Sequence, residues 1–169
     1  PISTGTGLFI DTEDAQVINI KIRGYDGQLI QKRQEQTEKE YVMYLWFDLE
    51  NELMFYYNSV GIPFEESQRI FDGIVIYGYE ADTPTPTPAP SSPLALKDGM
   101  PFEFSYVPEE YELFSREAYD EGAFGIDYRC AYINSHDAIK NFIFEIQPID
   151  EYTMALVDTE NLHCFWRQY

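Results

Sequence analysis

Two cysteines and two histidines are all that the 169 residues provide. Cys130, Cys164, His136 and His163 match neither Cys-x-x-Cys nor His-Glu-x-x-His spacing, so a histidine-rich metal site would have to be completed by carboxylates. Two cysteines make no disulfide framework, although both fall in strand-like segments where a single Cys130–Cys164 bridge fits. Buried, small apolar side chains are the plainer reading of both. A Cys-His-acid nucleophilic site lacks any local signature.

Basic residues are scarce as well. Eleven Lys and Arg stand against thirty Asp and Glu, which leaves a formal charge of −19 and disfavours direct contact with nucleic-acid phosphates or an anionic membrane face. The longest apolar run, 41–47, has seven residues, against the roughly twenty of a membrane-spanning helix. Membrane insertion is therefore not expected. Neither a glycine-rich phosphate loop, nor a Gly-x-Ser-x-Gly elbow, nor an EF-hand loop occurs, so the common cofactor and hydrolase classes lose support. No secretory signal and no N-x-Ser/Thr acceptor occurs, which favours an intracellular or virion setting over secretion.

What is abundant is aromatic. Hydrophobic residues make up 44% and aromatics 17%, with 14 Tyr and 12 Phe, enough for a packed core. Composition divides the chain at 80–93, which holds five of the ten prolines and no large apolar residue. Its Thr83, Pro84, Thr85, Pro86, Thr87 and Pro88 alternate as an extended, semi-rigid spacer or arm. The reading is an N-terminal β-rich module over 1–79, a linker over 80–93, and a C-terminal β-rich α+β module over 94–169. One sheet system interrupted by an insertion is the other organisation that the sequence allows.

The first half opens on a strand, because Ile18, Ile20 and Ile22 alternate with Asn19, Lys21 and Arg23. A glycine turn follows, and 28–36 reads as a polar edge strand. Segments 41–49 and 53–57 suit a hairpin, with a helix over 48–57 as the competing assignment. A short helix is expected over 63–71, with Pro63 at its start, Glu65 and Glu66 in the first turn and Gly73 at its end. A strand over 74–79 completes this half. Residues 20–26 and 74–80 share the pattern Ile-x-Ile-x-Gly-Tyr-acid, read as two strands ending in similar turns.

After the linker, 102–106 alternates as a strand. The spacing of Tyr111, Phe114 and Ala118 predicts a helix over 108–119. Strands follow at 125–133, 141–146, 152–157 and 163–169, with a capped helical turn at 135–140. The fold class expected is α+β, β-rich, with antiparallel sheets and a few short helices.

Between 103 and 127 eight acids accompany a single base, Arg116. A solvated helix face with Glu112 four residues before Arg116 explains much of this. It also marks Glu109, Glu110, Glu112, Glu117, Asp120 and Glu121 as the candidate surface for a basic partner. Asp48, Glu50 and Glu52 would share a face if a strand ran through them and could then hold a cation, but the wet end of a hairpin is the plainer account, since three unneutralised acids in a row would repel strongly if buried. No catalytic, cofactor or metal residue is assigned.

The functional expectation is a non-enzymatic structural or interaction protein. It would be a homo-oligomer or one subunit of a larger assembly such as a phage or virus particle, for instance as a decoration, neck or tail component. The alternative is an acidic inhibitor, an immunity-type protein or DNA mimic, that occupies a basic site on a partner. A small carboxylate enzyme comes third.

Overall fold

The computed structural model describes residues 15–34, 39–79, 94–120 and 125–149. The alternating isoleucines form β1 (Gln16–Ile22), with Ile18 and Ile20 packed against the core and Ile22 inside it. The chain turns through Gly24, at φ 88°, and returns as β2 (Tyr25–Gln34). β2 lies second in the sheet, between β1 and β3 (Lys39–Asp48), so it is not the polar edge expected of it. Its Gln28 is 2% exposed, and its amide donates to Asn19 across the strand pair at 3.0 Å. The competing readings of 48–57 resolve as a hairpin, since β3 pairs with β4 (Leu53–Val60) from Tyr41↔Val60 to Asp48↔Leu53.

The expected helix is α1 (Phe64–Asp72), with Pro63 at its N-cap and Glu65 and Glu66 in its first turn. It stops at Gly73, whose N–H reaches the carbonyls of Arg69 and Ile70. Two short strands, β5 (Ile74–Ile76) and β6 (Phe102–Phe104), pair with each other. Gly78, beyond β5, sits at φ 89°, so the two echoing segments do end in similar positive-φ glycine turns. Then come β7 (Tyr111–Asp120), β8 (Ile126–Asn134) and β9 (Asn141–Pro148).

Among the described residues, seven strands make one sheet in the order β1-β2-β3-β4-β9-β8-β7, every neighbouring pair antiparallel. β4 and β9 pair from Leu53↔Pro148 to Val60↔Asn141, so strands from both sides of 80–93 belong to one hydrogen-bonded system. Residues 80–93 themselves, with Thr83 to Pro88, lie outside the described residues, as do the strands expected at 152–157 and 163–169.

One face of the sheet carries α1, β5 and β6, and the main core fills the space between. Phe55, Phe142, Phe144 and Ile146 are fully buried. Tyr44 stacks on Phe71 of α1 at 3.8 Å, and Phe102 of β6 meets Phe144 edge-on at 4.6 Å. Polar atoms in this dry layer satisfy one another. The Ser59 and Ser67 hydroxyls lie 2.7 Å apart, and Tyr57 donates to the Ser67 carbonyl at 3.2 Å, which fixes α1 on β4. A smaller cluster of Leu45, Phe47, Met54 and Ile149 occupies the other face.

The helix expected at 108–119 does not form. This segment pairs with β8 from Tyr111↔Asn134 to Asp120↔Ile126, and the register shifts between Leu113 and Ser115. Phe114 is the extra residue of a β-bulge, and a bulge resets the two-residue alternation. The reset leaves apolar residues at spacings that imitate a helix. The expected helical turn at 135–140 is instead a tight connection between β8 and β9. There the Asn134 side chain, rather than Ser135, accepts from the N–H groups of His136 and Asp137 at 2.9 and 3.0 Å.

Candidate functional site: the β7 edge and the cavity beside it

β7 ends the sheet, so one of its edges has no partner strand among the described residues. The turn leading into it carries exposed Glu109 and Glu110, whose backbone is held by Tyr111 N–H to Pro108 O at 3.0 Å and Ser135 N–H to Glu110 O at 2.8 Å. Glu112 is exposed on the strand, and Glu117 accepts a hydrogen bond from Tyr119. The backbone of Asp120 closes the strand opposite Ile126, and Glu121 lies outside the described residues. Because the segment is a strand, Glu112 stands opposite Ile133 and Arg116 opposite Cys130, so the helical Glu112–Arg116 pairing is lost. Five of the six predicted surface acids thus come together on one edge strand and its entry turn. The structure adds what charge alone did not reveal: Phe114 is 69% exposed, next to Leu113 at 51%. The bulge that obscured the strand also turns this ring outward.

The opposite registers Leu113↔Tyr132 and Arg116↔Cys130 point those side chains to the covered face. There, beside β6, they border a cavity of about 200 Å³. Met100, Phe102, Phe104, Cys130 and Tyr132 form its inner side, with Phe104 edge-on to Tyr132 at 5.4 Å, and polar groups make up much of the rest. Lys97 and Glu103 also line it and pair at 2.9 Å, with the Lys97 ammonium 5.6 Å from the centre of the Tyr77 ring. The hydrogen bond from Lys97, and after it that from Tyr77, holds the Glu103 carboxyl below its ordinary value. Arg116 completes the rim.

The other predicted groups have structural duties. Cys130 is a free, buried thiol; Cys164, the other half of the expected bridge, and His163 lie outside the described residues. Burial pushes the Cys130 thiol up to about 11, which keeps it neutral and a poor nucleophile at neutral pH. His136 is exposed in the β8–β9 turn. Asp48 is 1% exposed at the end of β3, while Glu50 and Glu52 project from the turn beyond it. The strand stops at Asp48, so the three carboxyls do not share a face. Among the described residues, no group of three or more His, Cys, Asp and Glu is arranged to hold a metal ion. No helix there is long and apolar enough to cross a membrane.

Residues 2–74 match a family described as a domain of unknown function (DUF4367). The similarity covers less than half of the chain, from before β1 to the first residue of β5, and leaves out β7 and the cavity. No curated protein and no solved structure matches.

Proposed function

We propose that this chain is a non-enzymatic interaction protein, one subunit of a larger assembly, and that it docks through β7. The observation that carries the reading is the exposed Phe114 on a bulged edge strand flanked by Glu109, Glu110 and Glu112. An edge strand offers backbone donors and acceptors to an added strand, and alternate side chains then set its specificity. The charge selects the partner. Two copies of β7 paired parallel and in register would set their own glutamates against each other, and like charges directly opposite are destabilising. A strand from a different chain, with Lys or Arg around an apolar residue, complements this edge. The composition of 80–93 supports its role as an extended arm within such an assembly. Support for a non-enzymatic role comes from Cys130 and Asp48, whose surroundings commit them to the core and to a hairpin.

The same acidic edge favours a second reading, an inhibitor that covers a basic site on another protein. Light scattering at low and high salt, with material from the native source and with Phe114→Asp, separates the two. A subunit remains in a complex at high salt and leaves it when Phe114 becomes Asp. An inhibitor is a monomer whose capture of a basic protein weakens steeply with salt. A monomer that binds no basic protein at any salt, or a complex indifferent to Phe114→Asp, overturns the β7 reading.

A further inference from the structure

We propose that the cavity beside β7 binds a small monocarboxylate bearing one ring or a short apolar chain. This is independent of the docking reading, which uses Phe114 and the outer edge rather than the covered face.

Arg116 is the first argument. The chain has thirty acidic and eleven basic residues, yet among the described residues Arg116 has no carboxylate within ion-pair distance. The other cation of the lining, Lys97, is already held by Glu103 at 2.9 Å. A guanidinium offers a planar fork of N–H donors that a carboxylate fits with two parallel hydrogen bonds. The cavity therefore has one guanidinium that makes no direct ion pair, although its charge also reaches Glu103.

Shape and polarity define the rest of the ligand. Met100 and Phe102 are each 3% exposed and Cys130 5%, so they close the floor while the accessible apolar contact for a hydrocarbon group comes from Leu113 at the mouth, 51% exposed. At about 200 Å³ the space is smaller than the roughly 300–1,000 Å³ clefts that take drug-sized ligands, and so admits a single ring or a short chain. Asp98 and Glu103 also line the cavity. With Glu103 paired to Lys97, a phosphate monoester, with a charge of about −1.5 to −2, would exceed the single charge of Arg116 beside Asp98, whereas a singly charged carboxylate is matched by Arg116 alone.

The test is a titration of the full, isotope-labelled chain with phenylacetate and with hexanoate, followed by backbone amide resonances. At least one probe should give saturable shifts centred on Phe102, Phe104, Arg116 and Cys130. Arg116→Gln, a change at an exposed side chain, should keep the melting midpoint and weaken binding by about tenfold or more. Phenylacetamide or hexanamide, which lack the charge, should be weakened to a similar degree. Three outcomes overturn the proposal: no saturable shift with either acid, shifts centred elsewhere, or affinity unchanged by Arg116→Gln.

Discussion

Tyr79 donates a 2.6 Å hydrogen bond to Oδ2 of Asp48, thirty-one residues earlier, and so ties the chain leaving β5 to the end of the β3–β4 hairpin. The same carboxyl group accepts from Asn51 twice, at 2.6 Å from the side-chain amide and 3.1 Å from the backbone N–H. Tyr25 completes the cluster at 3.4 Å, with its ring 6.0 Å from that of Tyr79. A buried carboxylate is tolerable only when donors surround it, and here the donors come from β2, the hairpin turn and the segment after β5.

Removing one donor should therefore be felt throughout the cluster. Tyr79→Phe is expected to cost about 1.5–3 kcal/mol, the range for a hydrogen bond to a charged group, and Asp48→Ala somewhat more because it orphans several donors. The two changes act on one bond, so the double variant should lose less than the sum of the singles. Urea midpoints of the four proteins measure this. Strict additivity would show that the bond contributes no coupling.

The tyrosines predict an alkaline limit to stability. Burial, followed by the charge and hydrogen bond of Asp48, pushes Tyr25 up to about 12, and burial followed by Asp72 does the same for Tyr44. Tyr79, Tyr57 and Tyr56 are also raised, burial leading in each case. A phenol whose value is higher folded than unfolded favours the fold while it stays protonated. That stability is fully present below the unfolded value near 10 and is lost as pH rises towards 12. Phenolate absorbance and circular dichroism, followed together, should show exposed tyrosines ionising first and a second group ionising only as the fold is lost. Ionisation of every tyrosine in one step near pH 10, with the fold intact, contradicts the burial described above.

The sequence was most legible where a single period ruled a segment. Ile18, Ile20 and Ile22 gave β1 by simple alternation, and Pro63 with Gly73 framed α1 within a residue of its ends. Legibility failed at Phe114, where the bulge shifts the phase and leaves Tyr111, Phe114 and Ala118 at helical spacing, so a non-local pairing with β8 decided the matter. β2 was misplaced for a similar reason: Gln28 looks like an edge residue, and its burial depends on neighbours that the local sequence does not show. The acids of the candidate surface could be read from composition. The cavity could not, since Arg116, Cys130 and Phe104 come from three strands and meet only through the register of β7 on β8 and the packing of β6.

The pairing of β4 with β9 makes a prediction about the Thr-Pro segment. Phe144 of β9 is fully buried, stacked on Trp46 of β3 at 5.9 Å and edge-on to Phe102 at 4.6 Å, so the core joins residues from before and after 80–93. A protease site placed at 83–88 and cut in the folded protein should leave two fragments that co-elute under native conditions and separate only in denaturant. Phe144→Ala, expected to cost about 3–5 kcal/mol as a large core truncation, should weaken their association by roughly 100-fold or more. Fragments that part without denaturant, each with its own cooperative melting transition, would instead establish two independent modules. They would also show that the eight-residue register between β4 and β9 holds too little of the folding free energy to keep the halves together.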